Sequence, residues 1–178
     1  HAVSPSRSGW VFGQDTSGQG HRYNPDNQEK LFRFIALHQG IESNKLIVGI
    51  EDIQVPREGS FNPYGTFSVV VKQAYTNGVQ EIERFDNCDL NPNSQNFIAK
   101  MIGDQYFEWS RSEKRNKVYG SNPNISEYIR VEMNENVANA GPNDPSHVPF
   151  GFYGPVIPKA ISGHSEALYA SGSIRFVQ

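Results

Sequence analysis

Thr66-Phe-Ser-Val-Val-Val-Lys-Gln-Ala-Tyr-Thr-Asn-Gly-Val-Gln-Glu-Ile-Glu-Arg-Phe85 is the stretch on which the fold turns. Thr66 to Tyr75 alternates so that Phe67, Val69 and Val71 share one face, the two-residue period of a half-buried strand. Asn77-Gly78 offers the positive φ angles of a two-residue type I′ turn, and Val79 to Phe85 returns as the second strand. Outward from this hairpin, Lys45 to Val55 reads as a strand, with Leu46, Val48 and Ile50 alternating with Ile47, Gly49 and Glu51, and Pro56 closes it. Phe107 and Trp109 alternate on a further strand, Tyr128 to Met133 on another, and Trp10-Val-Phe-Gly13 and Ser173 to Val177 are short extended runs. The Pro- and Gly-broken Val148–Pro158 reads as extended chain packed on the core. A helix is expected from Asn24, with Pro25 at its first turn, an inward stripe of Leu31, Phe34, Ile35 and His38, and Gly40 at its end. Asn134 to His147 reads as an exposed loop. The sum predicts an α+β chain, mainly antiparallel β and sandwich-like, with two or three short flanking helices.

Bulk properties narrow the function. With 178 residues the chain fits a single compact domain over 1–178, residues 1–22 and 159–178 serving partly as linkers or as the edge of an adjoining domain. A chain of this size buries roughly 70% of its unfolded surface, enough for a core without staples. Sixteen basic and nineteen acidic residues leave a net charge of −3, so the electrostatic footprint of a nucleic-acid binder is missing. The basic run Arg111–Lys117 reads as a solvated turn between strands, with docking on an acidic patch of a neighbouring subunit as the alternative. Cys88 is the single cysteine, so no intramolecular disulfide can form. No apolar run approaches the ~18 residues of a membrane-spanning helix. The absence of an initiating Met before His1 fits a processed piece of a longer protein.

Local motifs for chemistry do not hold together. His1, His21, His38, His147 and His164 have no His or Cys partner at ligand spacing, so neither a metal nor another cofactor is expected. Asp89-x-Asn91-x-Asn93 imitates the opening of a calcium loop, yet Ser94 and Lys100 stand where Gly and the bidentate Glu belong, leaving an Asx-rich turn. Gly163-His-Ser-Glu166 lacks the spacing of a nucleophile elbow, Gly18-Gln-Gly20 lacks a third glycine, and Cys88 suits a buried thiol. Asn124-Ile-Ser126 is a formal glycosylation acceptor. The carboxylate pairs Glu51/Asp52 and Glu81/Glu83 look like exposed strand positions. No catalytic residue is assigned and the chain is expected not to be an enzyme.

The most distinctive segment is Phe85-Asp-Asn-Cys-Asp-Leu-Asn-Pro-Asn-Ser-Gln-Asn-Phe-Ile-Ala-Lys-Met-Ile-Gly-Asp104: strand end, Asn/Pro loop, a short helix over Ser94–Ile102 capped by Asn93 or Ser94, and Gly103 as a left-handed stop. With Leu46–Ile53, Tyr64–Val71, Tyr119–Glu132, Val148–Gly151 and Ile157-Pro158, taken in order over residues 45–158, it resembles the contractile tail sheath proteins of bacteriophages. The later stretches are similar to sheaths of giant, phiKZ-like phages. Sheath subunits are much longer, so the resemblance implies an outer, protease-resistant portion of a subunit that lacks the arms and inner domain. It further implies self-assembly of the full protein into hexameric rings stacked helically in the virion. The tail tube and baseplate would be contacted through parts outside these residues, after assembly in the host cytoplasm. Contraction by rigid-body rearrangement would drive genome delivery. With the arms missing, this portion should be monomeric, with neither nucleic acid nor membrane as partner. The competing expectations are a carbohydrate- or surface-binding β-sandwich using Tyr64, Trp109 or Tyr153 for stacking, and a hydrolase with a dispersed site.

Overall fold

A computed structural model describes residues 5–13, 30–38, 45–54, 64–139, 149 and 152–155. In chain order the elements are β1 (Val11–Phe12), β2 (Lys30–Ala36), β3 (Leu46–Gln54), β4 (Thr66–Tyr75), β5 (Gly78–Cys88), α1 (Ile98–Ile102), β6 (Tyr106–Ser110), β7 (Arg115–Tyr119), β8 (Ile129–Met133), α2 (Glu135–Ala138) and β9 (Phe152–Pro155). They form a four-stranded sheet in the order β5-β4-β3-β9, a three-stranded sheet β1-β2-β8, and a two-stranded ribbon β6-β7. Among the described residues the strands pair antiparallel throughout. The expected class, mainly antiparallel β with short helices, is the observed one.

The two larger sheets share a core. Alternation in β4 turns Phe67, Val69 and Val71 into it, beside Leu46, Val48 and Ile50 of β3 and Cys88 of β5. Phe32 of β2 stacks on Phe67 of β4 at 5.9 Å with the rings 10° apart, and Phe34 meets Phe32 edge-on at 5.4 Å. Helix α1 closes one side with Ile98, Ala99 and Ile102. Burying a Phe or Leu side chain contributes roughly 1.5–3 kcal/mol, so these contacts dominate the stability of the module.

Several sequence expectations need correction. Residues 30–36, expected in a helix, form strand β2. Leu31, Phe34 and Ile35 do face apolar surroundings, but so does Phe32, which a helix would turn away from that stripe. Pairing decides it: Phe32 to Ala36 lies opposite Met133 to Ile129, and Arg33 grips Glu132 across the strands at 2.7 and 3.1 Å. Short apolar runs fit either period, and the partner strand settles which forms. Asn24, Pro25 and Gly40 lie outside the described residues, as do Ser173–Val177. The β4–β5 turn is Thr76-Asn77, because Tyr75 pairs with Gly78. Gly78 alone there has a positive φ, 139°, so the turn is not type I′. Strand β5 runs to Cys88 instead of ending at Phe85. Asn134 starts α2, accepting from Asn136 N–H at 3.1 Å, and Val137 is buried, so this part of the expected loop is a packed turn of helix.

Candidate functional site

The Phe85–Asp104 segment folds as a run of side-chain-closed turns. The Asp89 carboxylate accepts from Asn91 N–H at 3.1 Å, Asn91 Oδ1 from Asn93 N–H at 3.0 Å, and Ser94 Oγ from Asn96 N–H at 3.1 Å. The expected Asx-rich turn is thus present. The expected cap is not: Phe97 is the N-cap and makes no side-chain cap bond. The backbone carbonyl of Asp89 instead accepts from Ile98 N–H at 3.0 Å. Burial raises the Asp89 carboxyl above its usual range, against the hydrogen bonds of Ser94 and Asn91. Cys88 is fully buried, and desolvation pushes its thiol up to about 12, an environment that disfavours the nucleophilic thiolate.

The segment ends by locking onto the Tyr119–Glu132 stretch. Ile102 carbonyl accepts from both Ile125 and Ser126 N–H, and Gly103 carbonyl from Val131 N–H. The Asp104 carboxylate takes Asn122 N–H at 2.8 Å and its amide at 3.1 Å. Asn124 completes a two-way pairing with the Gln105 backbone, donating at 2.8 Å and accepting at 3.1 Å. Ser126, buried, donates to Glu83 at 2.5 Å and accepts from Tyr128 and Ile129 N–H. The side chains of the formal sequon, Asn124 and Ser126, are therefore both committed to the fold. Glu83, expected to be an exposed strand position, is half-buried and anchors this turn.

From this knot projects the β6–β7 ribbon. Its register pairs Phe107 with Val118 and Trp109 with Asn116, so Phe107, Trp109 and Val118 share a face. Their exposures are 75%, 58% and 48%. The opposite face is tied down: Tyr106 stacks on Tyr119 at 5.4 Å, and the Arg130 guanidinium lies 4.4 Å over the Tyr106 ring. The tip is the basic run, a turn over 111–114 with Lys114 at φ 51°, while Arg115 and Lys117 continue into β7 and hold Glu113 at 2.6 and 3.0 Å. The expected solvated turn is thus half strand. Among the three aromatics named for ligand stacking, Trp109 is exposed, Tyr64 is buried at 3%, and the side chain of Tyr153 lies outside the described residues.

A second polar feature sits on the outer face of the four-stranded sheet. One extra residue in β3 opposite β4, and another in β5, make bulges at the same level, where Asp52 (φ 51°) and Asn87 (φ 56°) take the left-handed conformation that short polar side chains tolerate. Arg84 bridges the bulges, donating to Asp52 at 2.7 Å and Asp86 at 2.9 Å, while Ser68 donates to Asp86 at 2.8 Å. Lys72 and Arg84 also reach Glu51 at 3.4 and 3.5 Å. The hydrogen bonds of Ser68 and then Arg84 hold the Asp86 carboxyl below its usual range. An open cleft of about 380 Å³ lies beside them, lined by Asp52, Gln54, Ser68, Asp86 and Asn87 among others. Every carboxylate of this cluster is engaged by a cation or hydroxyl at these distances, an arrangement that fixes side chains in place.

No family model, curated protein or solved structure matches the chain.

Proposed function

We propose that this chain is a structural module of a phage contractile tail sheath, acting through its surfaces as subunits exchange one set of contacts for another. The observation that carries the proposal is the knot. Two of the stretches that carry the sheath resemblance, Phe85–Asp104 and Tyr119–Glu132, are far more than neighbours in sequence order. They are hydrogen-bonded to each other, Ile102, Gly103 and Asp104 on one side to Asn122, Ile125, Ser126 and Val131 on the other. Their residue types are thus accounted for by a rigid mount for the ribbon. A mechanical subunit needs such stiffness, because bistable packing between subunits works only if each body resists deformation. Large apolar side chains left in water on a firmly held ribbon mark an interaction surface.

Negative-stain electron microscopy of the gene product that carries these residues tests this. Hollow helical tubes of stacked six-fold rings are expected. Dispersed particles alone would count against it. Trp109, 58% exposed on the ribbon, favours a second reading, a carbohydrate- or surface-binding β module. Saturable binding on a glycan array, lost in Trp109→Ala, would replace the first reading with the second.

A further inference from the structure

The ribbon and the outer face of the four-stranded sheet are complementary in charge. Residues 106–119 carry Arg111, Lys114, Arg115 and Lys117 against Glu108 and Glu113, with Phe107, Trp109 and Val118 exposed behind the tip. Arg111 and Lys114 are exposed, and no ion pair engages them among the described residues. The sheet face carries Glu51, Asp52, Glu81 and Asp86 against Lys72 and Arg84. The β4–β5 register places Val79, 50% exposed, opposite Ala74 on that same face beyond the Lys72–Glu81 pair. Each surface therefore has an apolar part and a charged part, and the charges are of opposite sign.

We propose that the β6–β7 ribbon of one copy docks on a second copy along the exposed outer face of β5 and the neighbouring bulges, Ser68 and Val70 of β4 on that face being buried, with its basic tip against Asp52, Glu81 and Asp86 and its apolar face toward Val79. The two surfaces are different, so the contact is head-to-tail and propagates into rings or helices instead of stopping at a dimer. A ribbon this small covers less than the ~1,200 Å² of a lasting interface, so an isolated contact is weak and gains strength by repetition in an assembly. The inference deepens the sheath proposal and rests on it for self-association.

The test is an NMR titration of the 15N-labelled chain with unlabelled chain, up to about 1 mM, the range of a weak single contact. The expected result is concerted shifts of the Trp109 indole and the Phe107 and Val118 amides with those of Asp52, Glu81 and Asp86. Salt at about 0.5 M should weaken them, since exposed charges are then screened within a few ångströms. Arg111→Glu with Lys114→Glu, at the exposed tip, should raise the Kd at least about fivefold, as should Glu81→Gln from the other side. Shifts confined to the ribbon would mean a symmetric ribbon-to-ribbon contact and overturn the proposal. So would no shifts, or charge variants without effect. Tubes seen by microscopy despite any of these outcomes would leave the sheath assignment standing with its contacts elsewhere.

Discussion

Gly103 shows how much one residue can decide. Its φ of 105° is strained for any side chain, and an added Cβ would sit 2.4 Å from the Asn124 Cα and 2.6 Å from the Pro123 carbonyl oxygen. Both are backbone atoms of the knot and cannot swing aside. Gly78 also has a positive φ, but its Cβ would meet nothing within 4 Å. Gly103→Ala should therefore cost about 3 kcal/mol and Gly78→Ala about 1 kcal/mol, strain alone accounting for the smaller figure. At roughly 2–4 °C per kcal/mol for a chain of this length, calorimetry should find Gly103→Ala melting well below Gly78→Ala. Equal melting temperatures would refute the close approach. The need for glycine at 103 is legible in the sequence as a helix stop. The reason is not, because ψ is 153°, outside the left-handed helical region, and the clash is with a loop some twenty residues on. Cys88 offers a second check. Its buried, high-pKa thiol should resist a maleimide in the native protein and react in denaturant, followed by mass spectrometry; rapid native labelling would mean the strand end opens easily.

At the scale of elements, the paired bulges around Arg84 make acid sensitivity predictable in sign. Asp86 has a folded pKa below the ordinary 3.8, so its stabilising contribution is complete above that value and is lost as pH falls through the lowered one. Asp89 works the other way: its raised value penalises the fold at higher pH, and the penalty disappears below the ordinary carboxylate range. Asp86→Asn should unfold at lower urea than wild type at pH 7, and the two midpoints should converge as pH drops below about 4. A constant gap would show that Asp86 acts by shape alone. Strands β3, β4 and β8 are readable in the sequence because Leu46/Val48/Ile50, Phe67/Val69/Val71 and Ile129/Val131 alternate toward the core, although Ser68 and Val70 on the other face of β4 are buried too. Strand β2 is not, since Leu31-Phe-Arg-Phe-Ile-Ala36 is apolar but for Arg33 and fits either period, and its pairing with β8 spans about a hundred residues. The bulges are equally silent, because Asp52 and Asn87 announce a turn as readily as a kink inside a strand.

Among the described residues, the glycine-dependent knot lies beneath the exposed apolar face of the ribbon. Two larger sheets share a continuous core, a glycine-dependent knot joins Phe85–Asp104 to Tyr119–Glu132, and the ribbon it holds leaves Phe107 and Trp109 in solvent. The mainly antiparallel class follows from the alternation of the hairpin strands, although the turn falls at Thr76-Asn77 and not at the expected Asn77-Gly78. That the aromatics of β6 face outward does not, because Phe and Trp at alternate positions read equally well as core. Their exposure becomes apparent only once Tyr106, Tyr119 and Arg130 occupy the other face. The central claim is that this exposed face serves contacts between subunits while the body beneath stays rigid. It is tested most directly by imaging assembly of the gene product with and without Phe107→Ser and Trp109→Ser, both variants first checked for unchanged melting. Wild type should form helical tubes and the double variant should remain dispersed; tubes of equal length from both would contradict the account.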